Sequence, residues 1–262
     1  MEHVTSTDGT RIATHSTGSG PVVVIVNGAF STARDAGEIA QALAEKGLRA
    51  VTYDRRARVD SGDERGDAPV DPQREVEDLA AVIAAAGGDA AVLGHSSGAV
   101  LALFAAAQGV SVRRLFLSEP PFHFGEGDPA PDFVDRLQAA VDEGRAADAV
   151  VLFQREGVGL PDEMIEQIRQ SPLFEALLPL AQSTVYDATV TRDVSTPTPA
   201  MLGTAVPVTI LCGEQTFPFL ATAARRLADA MPAAELLITP ESVGHRLDPA
   251  TAARVVAERE GV

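Results

Sequence analysis

Residues 22–26 read Val-Val-Val-Ile-Val and stop at Asn27-Gly28. Five consecutive β-branched residues with no polar alternation suit a strand buried on both faces, as in a sheet covered by helices on each side. Apolar runs of strand length recur in "LRAVTYD" (48–54), "AAVLG" (90–94), "VRRLFLSE" (112–119), "VPVTILCG" (206–213) and "AELLIT" (234–239). Stretches of helical spacing separate them. These are "ARDAGEIAQALAEK" (33–46) closed by Gly47, a helix from Asp71-Pro72 to Gly87-Gly88, one from about Ser97, "LATAARRLADAM" (220–231) and a last helix within 249–260. Asp71 suits an N-cap and Pro72 the first helical position. Such alternation predicts an α/β fold, a mostly parallel central sheet with helices on both faces and right-handed connections. "HVTSTDGTRIATHST" (3–17) reads as two short strands around an Asp8-Gly9 turn.

Residues 121–200 break this rhythm. They hold helical patterns in "DFVDRLQAAVDEG" (132–144) and "DEMIEQIRQ" (162–170), but no strand. Pro/Gly-rich joints, "PPFHFGEGDPAP" (120–131) and "STPTPA" (195–200), bracket them. The division expected is a core of residues 1–120 and 201–262 with a helical cap insertion at 121–200 over one sheet edge.

Composition narrows the function classes. The chain has 262 residues, 45% of them hydrophobic, enough for a sizeable core. A formal net charge of −16, spread along the chain, argues against nucleic acid and anionic membranes as partners. The single cysteine, Cys212, excludes an internal disulfide and reads as a buried thiol. The N-terminus lacks a basic-then-apolar leader and the apolar runs are too short to span a bilayer, so a cytoplasmic protein is expected. Twenty arginines against the lone Lys46, with abundant alanine, suggest GC-rich bacterial coding. No Cys/His cluster has metal-ligand spacing, and "STGSGP" (16–21) lacks the lysine of a phosphate loop, so no metal or cofactor is expected. The expected partner is a small-molecule substrate; a homodimer is left open.

Chemistry concentrates in Gly94-His95-Ser96-Ser97-Gly98, which fits G-x-S-x-G between an expected strand and an expected helix. A serine on that tight turn is lifted above the sheet end, and the N–H groups after it face the same spot from a helix N-terminus. His95 is expected to point into the structure. The competing reading makes Ser96 a helix cap only. A hydroxyl needs a base, and the candidates are His3, His15, His95, His123 and His245. Phe122, Phe124, Phe153 and Phe174 could line a cavity or equally form the core of the insertion. With Phe30 and His123, Phe122 and Phe124 are the substrate-binding candidates.

"VVVIVNGAF", "YDRRARVDSGD", "GHSSGAV" and the "VGH" of 243–245 resemble the α/β-hydrolase fold superfamily over nearly the whole length. The resemblance implies an α/β-hydrolase fold and the chain order serine, acid, histidine, which selects Ser96 as nucleophile and His245 as base. It implies oxyanion N–H donors at Ala29 and Ser97, with Asn27 standing where the family has His in His-Gly-x. The acid departs from the usual pattern. The usual Asp position, after "VPVTILCG", holds Thr216, and Glu214 is expected to point away from His245. Some branches, such as the haloalkane dehalogenases, carry the acid one strand earlier, which corresponds here to Glu119. A carboxylate between an apolar strand and two prolines also needs a partner of its own. Glu119 as a pocket-lining or structural acid, with only a Ser–His dyad, is the alternative. Asp248 reads as the cap of the last helix.

The leading expectation is a serine esterase-like hydrolase of small to medium, mostly apolar esters, lactones or thioesters, acting through an acyl-enzyme. Perhydrolase (haloperoxidase), C–C hydrolysis, acyl-transfer or cyclising chemistry on the same fold, and a non-catalytic ligand-binding protein, are the rivals.

Overall fold

Eight strands form one sheet in the computed structural model: β1 (Glu2–Thr5), β2 (Arg11–Gly18), β3 (Val22–Val26), β4 (Arg49–Tyr53), β5 (Ala90–His95), β6 (Arg114–Ser118), β7 (Val208–Gln215) and β8 (Ala234–Val243). Residues 1–194 and 196–262 are described; Ser195, in the Pro-rich joint, lies outside them. The order is β1-β2-β4-β3-β5-β6-β7-β8. The β1–β2 and β2–β4 pairs are antiparallel and all others parallel. The two N-terminal strands therefore form as expected around Asp8-Gly9.

Helices follow the strands: α1 (Gly37–Glu45), α2 (Pro72–Ala85), α3 (Ser97–Ala107), α4 (Phe133–Asp142), α5 (Ala146–Leu152), α6 (Asp162–Arg169), α7 (Pro172–Leu177), α8 (Ala181–Asp193), α9 (Pro199–Leu202), α10 (Pro218–Ala230) and α11 (Pro249–Glu260). Capping follows the sequence signals. The Asp71 carboxylate accepts the Gln73 N–H at 2.9 Å, and the Asp248 carboxylate accepts the Thr251 N–H at 2.7 Å. Between β6 and β7 lie only helices, α4 to α9, among the described residues.

All five residues of β3 are buried, as the unbroken apolar run requires. Val22, Val24 and Val26 join a core with residues of α2, α3 and α10; Val23 and Ile25 join another with α1 and α11. Fully burying each such side chain contributes about 1.5–3 kcal/mol. The helices between β6 and β7 have a third core around Phe133, Leu137, Phe153, Phe174 and Val185.

This order positions the site. β3 is flanked by β4 on one side and β5 on the other. The chain thus leaves β3 and β5 at a point where successive connections run in opposite directions, and such a switch opens a crevice at the C-terminal strand ends. The loop 27–32 follows β3, Ser96 follows β5, Glu119 follows β6 and His245 follows β8.

Candidate active site

Ser96 occupies the one-residue joint between β5 and α3 with φ 54° and ψ −127°. Its N–H donates to the Ser118 carbonyl at 2.9 Å, tying the turn to β6. Two glycines permit the close approach. A Cβ on Gly98 would lie 2.2 Å from the Val26 carbonyl oxygen, and one on Gly28 would lie 2.8 Å from the Ser96 Cβ. Non-glycine residues at positive φ cost on the order of 1–3 kcal/mol each and gather where geometry is enforced by surroundings. Ser96 (54°), Glu119 (47°) and His245 (62°) all adopt it, as does Phe30 (56°).

Glu119 is buried, and its N–H donates to the Leu211 carbonyl of β7 at 2.9 Å. Its Oε1 accepts the Gly213 N–H at 2.8 Å, and its Oε2 accepts from Nδ1 of His245. A carboxylate only accepts, so Nδ1 carries the proton and Nε2 is the basic nitrogen. Burial works to raise the Glu119 carboxyl, but the hydrogen bonds from His245 and the Gly213 N–H, with the imidazole charge, outweigh it and hold it below the usual carboxylate range. Glu214 is exposed, whereas Thr216, its hydroxyl buried, lies beside the Glu119 carboxylate and favours its ionised form. No hydrogen bond joins Ser96 to His245; both face one cavity, and such contacts commonly tighten only with substrate bound.

His95 lies against the far side of the imidazole, its ring centroid 4.7 Å from that of His245. Its Nδ1 meets the Ser118 hydroxyl at 3.0 Å. Loss of hydration, then the neighbouring His245 charge, push its pKa down to about 3, so the ring is neutral.

The cavity holds about 580 Å³, and Ala29, Ser96, Ser97, His123 and His245 line it. Neither the Ala29 nor the Ser97 N–H donates to another group among the described residues. Phe153, Val158, Leu160, Met164, Phe217 and Phe219 form apolar walls. Phe153, Glu156 and Gly157 belong to a single wide π turn after α5, a distortion that is frequent beside functional sites. The carboxylates on the wall are Glu126 and Glu156, and no arginine or lysine lines it.

The aromatic candidates divide. Phe153 lines the cavity, whereas Phe122 is buried in the main core. Phe124 packs against that core with the Arg226 guanidinium 4.5 Å from its ring centroid. Phe30 stands edge-on to Phe153 at 5.3 Å, behind the wall, and Phe174 belongs to the helical core. Asn27, in the family's His position, donates from Nδ2 to the Thr32 carbonyl at 2.6 Å and closes the loop that carries Ala29.

Sequence reading missed the charged layer beneath this loop. Arg55, Arg58, Glu75 and Asp187 are all buried, and Asp187 is 0% exposed. Arg55 donates to both carboxylate oxygens of Glu75, at 2.7 and 2.8 Å, and to Asp187 at 2.7 Å. The signal was present in "YDRRAR", three guanidiniums directly after a buried strand, since buried charges require partners.

Among the described residues, no group of three or more His, Cys, Asp or Glu side chains converges as a metal site, and no helix is long and apolar enough to cross a membrane.

Comparison with known proteins agrees with this architecture. No curated protein matches the chain significantly. Among solved structures, an alpha/beta hydrolase from Sphaerobacter thermophilus is 40% identical, with a TM-score of 0.88 over 98% of this chain and 99% of that one. A hydrolase from Pseudomonas aeruginosa (20% identity, TM-score 0.76, 100% and 98% covered) has the same fold. So does an enol-lactonase from Burkholderia xenovorans (20% identity, TM-score 0.69, 100% of each chain). The model of the alpha/beta hydrolase family matches residues 23–259, which carry the strands from β3 to β8 and every loop that borders the cavity. With that match, the strand order and the serine turn in agreement, the chain belongs to the alpha/beta hydrolase family and is an enzyme of that type.

Proposed function

We propose that the protein is a serine hydrolase that cleaves neutral, mostly apolar esters, lactones or thioesters through an acyl-enzyme. The observation that carries this reading is the Glu119–His245 hydrogen bond, whose imidazole opens on the same cavity as Ser96. The Ser96 Oγ bonds to the substrate carbonyl carbon while its proton passes to Nε2 of His245. The carbonyl electron pair moves onto oxygen, and the Ala29 and Ser97 N–H groups hold that oxyanion. Collapse breaks the bond to the leaving group, which takes the proton from His245. Water then repeats the sequence on the acyl-enzyme and releases a carboxylic acid and free Ser96. Glu119 touches no substrate; it keeps the imidazole oriented and balances its transient charge.

The walls support the substrate class. Their apolar side chains favour apolar acyl or leaving groups, and no arginine or lysine lines the cavity to receive a substrate anion; Glu126 and Glu156 on the wall are themselves paired with Arg226 and Arg136.

Intact-mass labelling with a fluorophosphonate tests the reading. Wild type is expected to gain one label and Ser96→Ala none, with Glu119→Gln labelled slowly. An unlabelled wild type, under conditions that label a control serine hydrolase, would overturn it.

A further inference from the structure

Asp187 lies in α8, within the helices between β6 and β7, yet its carboxylate reaches beneath both proposed oxyanion donors. Its Oδ1 accepts from the Ser97 hydroxyl at 2.6 Å and from Arg55 Nη1 at 2.7 Å; its Oδ2 accepts from Arg58 Nη2 at 2.8 Å. The two guanidiniums carry the connection onward. Arg58 Nη1 donates to the Gly28 and Ser31 carbonyls, each at 2.7 Å, and Arg55 Nη1 donates to the Asn27 carbonyl at 3.0 Å.

The Gly28 carbonyl and the Ala29 N–H belong to one planar trans peptide and point in opposite directions. An arginine that holds the carbonyl on the buried side therefore directs the N–H toward the cavity. On the other side of the hole, the Ser97 side chain is held by the same carboxylate at the first residue of α3. One carboxylate thus sets both donors.

We propose that Asp187 is a positioning residue for the oxyanion hole, acting through Arg58 on the Ala29 N–H and through the Ser97 hydroxyl on the Ser97 N–H. This rests on the serine-hydrolase reading above.

Two further observations favour positioning over mere seating of α8. Four buried charges, Arg55 and Arg58 with Glu75 and Asp187, are balanced but costly to desolvate, and apolar contacts seat a helix at least as well. Their guanidinium donors converge on the loop carbonyls 27, 28 and 31. In addition, Thr191, one turn along α8, lines the cavity and donates from its hydroxyl to the Asp187 carbonyl at 2.9 Å. The helix that meets substrate is the helix that sets the donors.

The test compares wild type, Asp187→Asn and Ser97→Ala on a short-chain p-nitrophenyl ester. It also measures inhibition by a matched trifluoromethyl ketone. The ketone accepts Ser96 Oγ at carbon, its proton goes to His245, and its oxyanion occupies the hole, so its affinity reads the donors. Asp187→Asn is expected to lower kcat by about 100-fold to 1,000-fold, the cost of one misplaced oxyanion donor, and to weaken the ketone equally. KM is expected to stay within about threefold, which separates positioning from substrate binding. Ser97→Ala, which removes one hydroxyl and keeps the backbone N–H, is expected to lower kcat by about tenfold, the scale of one hydrogen bond. If Asp187→Asn fails to fold, Ser97→Ala decides. A folded variant with unchanged kcat and ketone affinity, or a loss confined to KM, overturns the proposal. Wild type without Ser96-dependent turnover sinks the hydrolase reading and this inference together. Ser96-dependent turnover with unaffected variants sinks this inference alone.

Discussion

Glu119 and His245 stand 126 residues apart in the chain and are joined by a hydrogen bond from Nδ1 to Oε2. The carboxylate comes from the end of β6, a strand before the loop where the family usually places it. Its second oxygen is occupied by the Gly213 N–H at 2.8 Å, so the carboxylate is fixed at both ends.

Replacing Glu119 with Gln keeps the shape and removes the charge. Turnover is expected to fall by roughly 100-fold to 10,000-fold, with KM little changed, because the imidazolium loses its counter-charge and its tautomer is no longer fixed. Steady-state kinetics on a p-nitrophenyl ester checks this, and a loss below about tenfold would favour a Ser–His dyad.

Thr216, in the loop after β7, has a buried hydroxyl beside the Glu119 carboxylate. In the Glu119→Gln background, Thr216→Asp is expected to recover at least about tenfold in turnover by supplying a carboxylate from the usual strand. No recovery in a folded double variant would mean that this loop cannot aim a carboxylate at His245.

His95 is neutral, with its pKa pushed down to about 3 by lost hydration and by His245. Its folded-state pKa lies below its unfolded value of about 6.5, so the unfolded chain binds the extra proton between these limits. Stability from this group is present above the unfolded pKa and is lost as pH falls toward the folded one. Thermal melts from about pH 7 down to about pH 5 should show a steeper loss in wild type than in His95→Phe. Parallel slopes would contradict the neutral, half-buried imidazole.

Gly98 admits no side chain, since a Cβ would lie 2.2 Å from one backbone carbonyl and 2.6 Å from the next. Gly98→Ala must push α3 away from Val26 and Asn27 at the end of β3. A drop of several degrees in Tm is expected, of the size of a ΔΔG of about 1–3 kcal/mol for an overpacked site. Soluble Gly98→Ala with the wild-type Tm and turnover would show that the two segments can separate at no cost.

Selectivity against charge should be visible directly. With apolar walls and no lining cation, the butyrate ester of p-nitrophenol is expected to exceed its hemisuccinate in kcat/KM by about 100-fold, and Glu156→Gln, which releases Arg136 from its ion pair, is expected to narrow that gap. Equal rates on the two esters would remove the charge argument.

The sequence carries the sheet strongly, because two-sided burial writes itself as unbroken apolar runs such as Val22–Val26. Ser96, Glu119 and His245 were legible from the serine turn, the family order and a carboxylate lodged among apolar residues and prolines. Phe122 and Phe124 were not, since an aromatic beside a cavity and one in a core have the same sequence context. α8 was invisible for a physical reason. Nine of its residues, Ala181 and Ser183–Val190, are buried, so no polar face sets off an apolar stripe. Asp187 sits inside that helix, and only the three-dimensional approach of Arg55 and Arg58 reveals why a carboxylate is there.

Carrying the carboxylate on β6 relieves the segment after β7 of supplying one to His245. That segment instead presents Phe217 and Phe219, half-exposed and stacked at 6.3 Å, to the cavity. A directed-evolution library confined to position 219 can reshape what the enzyme accepts while the Phe217 ring beside His245 stays in place.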